Sequence, residues 1–109
     1  MKKWISKLDS VVDKYKKIEG LLSDPEVIND QERFQKLSKE YANLKEIVEK
    51  YNEYKELEAN VEDAENILEI ADDEEMIQLA KMQLAEAEPR IEELEEKLPL
   101  MLIPKDPND

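Results

Sequence analysis

The chain has 109 residues, room for one domain with a modest core. Hydrophobic residues make up 40% and charged residues 41%, with one glycine, one tryptophan and one phenylalanine, a balance that favours long helices with narrow apolar stripes over a sheet-built fold. The absence of cysteine and histidine excludes disulfides, thiolate metal sites and imidazole chemistry, and a formal charge of −13 argues against wrapping DNA or RNA.

The charge is uneven: residues 1–22 carry six Lys against three acids, leaving an acidic remainder. Acids spread over a helical surface keep it soluble, and they also suit a basic protein partner. The opening Met1-Lys2-Lys3-Trp4-Ile5 has the charge of a signal peptide, but Lys7, Asp9, Asp13 and Lys14 interrupt any apolar run behind it. Near the other end Leu98 to Pro104 is uncharged yet far short of the roughly 20 residues that span a bilayer. The expectation is a soluble, cytoplasmic protein with no membrane contact.

In chain order, Trp4, Leu8, Val11, Val12, Tyr15, Ile18 and Leu22 fall on one face of a helix over about 2–22. Lys14, Lys16 and Lys17 suit the negative end of its dipole, whereas Lys2 and Lys3 at the start do not. Ser23-Asp24-Pro25 reads as a cap followed by proline at the first helical position, opening a short turn through Ile28. Asn29-Asp30 offers the next cap. From Gln31 to Ala71, Phe34, Leu37, Tyr41, Leu44, Val48 and Tyr51 alternate by three and four, and Tyr54, Leu57, Val61, Ala64, Leu68 and Ala71 continue after an extra step of three. With no Gly or Pro in that range, one helix of about 60 Å is expected, its stripe shifting near Tyr51 to Leu57.

Asp72-Asp73-Glu74-Glu75 reads as a hairpin tip, because acids at a helix start satisfy its free N–H groups. A third long helix over about 74–98 carries the cleanest seam, Ile77, Ala80, Leu84, Ala87, Ile91, Leu94 and Leu98. Pro89 lies off that seam and should kink the exposed side. Pro99 is expected to end the helix, with Leu100 to Ile103 an extended apolar run that finds no strand partner here. The fold class is therefore all-α, a three-helix arrangement dominated by a long antiparallel, coiled-coil-like hairpin, with a short extended C-terminal tail. Residues 1–99 form the helical domain and 100–109 a linker.

No chemistry-bearing constellation emerges. Carboxylates cluster at Asp72 to Glu75 and at Glu92, Glu93, Glu95 and Glu96, but helical-bundle metal sites need inward Glu and usually a His. The seam leaves Glu92, Glu93 and Glu96 outward and Glu95 flanking it. One glycine cannot build a phosphate-cradling loop. Tyr41, Tyr51 and Tyr54 lie on the buried stripe, with their hydroxyls at its edge. Among Lys of the first helix, Trp4 and Tyr15 belong to the apolar stripe and not to a stacking patch. No catalytic, cofactor or metal residue is assigned, and function must run through partners.

Asp30-Gln31-Glu32-Arg33-Phe34, Leu37-Ser38-Lys39-Glu40-Tyr41-Ala42-Asn43-Leu44 and above all Leu102-Ile103-Pro104-Lys105-Asp106-Pro107-Asn108-Asp109 resemble the N-terminal domain of bacterial peptide chain release factor 1, a class I translation release factor. The resemblance runs the whole length of the chain. It implies roughly the first third of a longer protein, a non-catalytic fragment, because neither Gly-Gly-Gln nor the codon-reading Pro-x-Thr-type tripeptide occurs here. It further implies translation termination at UAA and UAG stop codons, contact with the ribosome near the L11 stalk base and cooperation with the GTPase release factor 3. Candidate partner-binding residues are chosen on physical grounds: the tip, Ile70, Ala71, Asp72, Asp73, Glu74 and Glu75, and exposed lysines of the first helix, Lys3, Lys7 and Lys14. A free-standing coiled-coil adaptor or chaperone-like hairpin would explain the heptads equally well but leaves the apolar tail unexplained. Exposed seams also leave self-association open.

Overall fold

The computed structural model describes residues 3–103. Four helices follow in order: α1 (Lys3–Leu22), α2 (Pro25–Ile28), α3 (Gln31–Ile70) and α4 (Glu74–Met101). No strand occurs among the described residues, so the all-α class holds. The expected short turn is α2, and the three long helices start or end within a residue of expectation except at the end of α4.

The punctuation between helices is side-chain capping. The Asp24 carboxylate accepts from the Glu26 N–H at 3.0 Å, and Pro25 fills the first turn where no donor is needed. Asn29 closes α2 by donating its N–H to the Pro25 carbonyl. Asp30 then opens α3: its Oδ1 accepts from the Arg33 N–H at 3.2 Å and its carbonyl from the Phe34 N–H at 2.8 Å. Asp73 repeats the device for α4, accepting from the Glu75 N–H at 3.0 Å. Each turn is thus specified by an Asp that satisfies otherwise unpaired helical donors.

The described residues fall into two compact units, one of residues 3–50 with 101–103 and one of residues 51–100. In the first, Leu8 and Ile18 of α1, Val27 of α2 and Val48 of α3 are buried. In the second, α3 and α4 form the antiparallel hairpin, burying Tyr51, Tyr54 and Ala64 from one helix and Ala80, Ala87, Leu94 and Leu98 from the other. Ala80, Ala87 and Leu94 recur every seven residues, the spacing of a coiled-coil seam.

The end of α4 departs from the sequence reading. The helix does not stop before Pro99 but runs through it to Met101, so Leu100 and Met101 are helical and not extended. Proline removes only its own donor, leaving the N–H groups of Leu100 and Met101 able to continue the ladder. Beyond the proline Leu100 is exposed but Met101 is half-buried, so continuing the helix keeps the Met101 side chain partly covered. Leu102 forms a turn and Ile103 a bend; the rest of the expected tail, 104–109, lies outside the described residues. The helix also continues through Pro89, which sits on the exposed side as its position off the seam implied.

Candidate functional site

At the hairpin tip, α3 ends at Ile70, which is 79% exposed, and α4 begins at Glu74. Ala71 is half-buried and Asp72, Asp73, Glu74 and Glu75 are all exposed, so the six candidate residues run from the last residue of α3 through the loop 71–73 into the first turn of α4. They are not equivalent. Asp73 is engaged in capping, and Glu74 accepts from the Gln78 amide at 3.1 Å one turn on. Ile70, with most of its side chain in water, is the apolar element of this tip.

The lysines belong to the other unit. Lys3, Lys7 and Lys14 are exposed, and their spacing places them within about 40° of one another around α1. Lys14 carries an ion pair with Glu40 of α3, so its charge is partly neutralised within the fold. Lys3 and Lys7 are the stronger candidates of the row for an outside partner.

Two polar networks hold the helices in register. In the hairpin unit, Arg90 grips Glu53 with a fork, Nε to Oε2 at 2.6 Å and Nη2 to Oε1 at 2.8 Å, and reaches Glu93 at 3.0 Å. Lys97 meets the same Glu93 at 2.9 Å. The Lys97 ammonium first, then the Arg90 guanidinium, hold the Glu93 carboxyl below its ordinary range, while Glu53 and then Glu93 push Arg90 further up. The fully buried Tyr54 ring delivers its hydroxyl to Glu95 Oε2 at 3.0 Å, so Glu95 does flank the seam. In the first unit, Tyr15 stacks on Tyr41 with centroids 4.5 Å apart and 14° between planes. Tyr15 donates to Tyr41 at 2.9 Å, and Tyr41 donates to Glu19 at 2.9 Å. The hydrogen bond with Tyr15, then the neighbouring Glu19 carboxylate, raise the Tyr41 phenol well above its usual value.

An open groove of about 440 Å³ lies between α3 and α4, where Glu58, Glu62, Glu65, Glu88, Glu92 and Glu95 surround Val61 and Ile91. Six carboxylates there repel anions. Among the described residues no group of three or more Asp and Glu is placed to hold a metal ion, and no helix is long and apolar enough to cross a membrane.

Sequence reasoning overlooked Met76, Leu79 and Met82 at the start of α4, which are 46%, 58% and 58% exposed. Their signal was legible: they are large apolar residues outside the three-and-four alternation of the seam. It also overlooked Val27, which α2 buries completely.

The model of the PCRF domain family matches residues 11–109. Peptide chain release factor 1 of Agathobacter rectalis is 48% identical over 103 residues, covering 94% of this chain and 29% of that protein. The same factor of Limosilactobacillus reuteri subsp. reuteri is 47% identical over 109 residues, covering all of this chain and 30% of its own length. That of Clostridioides difficile is 46% identical over 105 residues, 96% of this chain and 30% of the relative. The chain therefore spans about 30% of the length of these curated relatives. No solved structure matches it. A family model matching residues 11–109 and relatives 46–48% identical across 94–100% of the chain carry the assignment: the chain belongs to the PCRF domain family.

Proposed function

We propose that this chain is the non-catalytic helical domain of a peptide chain release factor acting in translation termination. The observation that carries this is identity of 45–48% with release factor 1 proteins across 94–100% of the chain. In this reading residues 1–99 are a helical arm and residues 100–109 lead to a codon-recognition domain for UAA and UAG. The arm works in the cytoplasm, contacting the ribosome near the L11 stalk base and cooperating with the GTPase release factor 3.

An acidic domain with an exposed tip supports contact with basic ribosomal protein over a grip on RNA, since phosphate binding needs clustered cations. In this reading hydrolysis of the peptidyl bond falls to other parts of the longer protein. The native reading frame past Asp109 should encode a Gly-Gly-Gln loop; a stop codon directly after Asp109 would favour the free-standing hairpin adaptor instead. Deleting residues 1–100 from the longer protein should leave some stop-codon-dependent peptide release and weaken stimulation by release factor 3. An unchanged stimulation would overturn the cooperation with that GTPase.

A further inference from the structure

The first turns of α4 carry an outward column that the hairpin core does not use. At about 100° per residue, Glu75, Leu79, Met82 and Glu86, offset by four, three and four, fall within about 60° of one another and nearly opposite Leu84. Leu79 and Met82 are each 58% exposed, and both flanking glutamates are exposed as well. Met76, 46% exposed, borders the column on its tip side. Scattered exposed apolar residues are ordinary, but here two stand in register on one helical face and are bracketed by like charges, the pattern by which a helix face meets a partner. The unbranched Met82 can adapt to a partner's contour.

The bracketing charges select the occupant. A second copy would set Glu75 and Glu86 against glutamates, in a chain that already carries −13. Nucleic acid and anionic membrane are repelled by the same two side chains. What complements the stripe is a protein ridge with apolar residues at its centre and cations on either side, separated by about 16 Å, the rise over the eleven residues from Glu75 to Glu86. We propose that the Glu75–Leu79–Met82–Glu86 column docks such a basic, apolar-ridged protein surface. This deepens the proposed function, on which it rests for one point: the partner is sought among ribosomal proteins and not ribosomal RNA.

The test places photo-reactive benzoyl-phenylalanine at Leu79 or Met82 in the longer protein expressed from the native reading frame. Lys81, exposed about 100° from Met82 and about 160° from Leu79 around α4, serves as the control position. Each protein is mixed with purified ribosomes, sedimented and irradiated. The expected result is a protease-sensitive cross-link from Leu79 and Met82 that is weak or absent from Lys81. Replacing both glutamates, Glu75→Gln with Glu86→Gln, should lower its yield at least about fivefold, as should raising the salt past the point where surface charges are screened. Cross-links to RNA, equal labelling from Lys81, or indifference to the glutamate replacements would overturn the stripe while leaving ribosome binding intact. Failure to sediment with ribosomes at all would instead overturn the proposed function and, with it, this docking site.

Discussion

Replacing Tyr54 separates two contributions to the hairpin, a buried ring and a hydroxyl at its edge. The residue is 1% exposed, and its oxygen lies 3.0 Å from Glu95 Oε2. Tyr54→Phe deletes only the donor. A hydrogen bond to a charged group contributes about 1.5–3 kcal/mol when desolvated, but Glu95 is half-buried and can rehydrate, so a loss of about 1–1.5 kcal/mol is expected. Tyr54→Ala also removes the ring from the α3–α4 interface, and truncating a buried aromatic costs about 3–5 kcal/mol. At about 4 °C per kcal/mol for a chain of this size, the Phe variant should melt some 4–6 °C lower and the Ala variant about 12–20 °C lower. Thermal and urea unfolding followed by circular dichroism at 222 nm measures both, with an unchanged urea slope showing that the denatured state is unaffected. A Phe variant as stable as the parent would refute the role of the Tyr54–Glu95 bond. An Ala variant no worse than the Phe variant would refute the ring as the anchor of the seam.

Gly20 lies inside α1, and a Cβ built there meets nothing within 4 Å. Gly20→Ala should therefore stabilise the chain by about 0.5–1 kcal/mol by reducing unfolded-state freedom, read as a higher urea midpoint. Tyr41 predicts a pH dependence. Its folded phenol is held above the ordinary value of about 10, so the unfolded chain sheds that proton first. The Tyr15–Tyr41–Glu19 chain then contributes fully below about pH 10 and is lost as pH rises beyond it. Melting temperatures measured from neutral pH to pH 11 should fall more gently in Tyr41→Phe than in the parent.

The seams were readable because burial in a helix repeats with the helix itself. Every seam residue from Ile77 to Leu98 is buried or half-buried, as are Trp4, Leu8 and Tyr15 on α1. The aspartate caps were readable for the same reason: a carboxylate reaches only the N–H groups two or three residues ahead. The candidate surface was half legible. Acids and a lone Ile at the tip announce exposure, and the structure keeps Ile70 and Asp72 to Glu75 in water. Leu79 and Met82 stand outside the three-and-four alternation of the seam, and the structure leaves each 58% exposed.

Local sequence alone determined the all-α class, the helix boundaries at Gln31, Ile70 and Glu74 to within a residue, and the face each helix buries. These depend on contacts within a few residues, where backbone geometry sets the spacing. Only tertiary structure decided that Arg90 takes Glu53 as well as its own helical neighbour Glu93, and that the Tyr41 hydroxyl donates a hydrogen bond to Glu19. It alone decided that α4 outlasts Pro99. Many glutamates are chemically equivalent in the sequence, and the one that pairs is chosen by which helix faces lie opposite each other. Likewise a proline ends a helix when the residues beyond it gain nothing by continuing, and here the half-burial of Met101 supplies a gain.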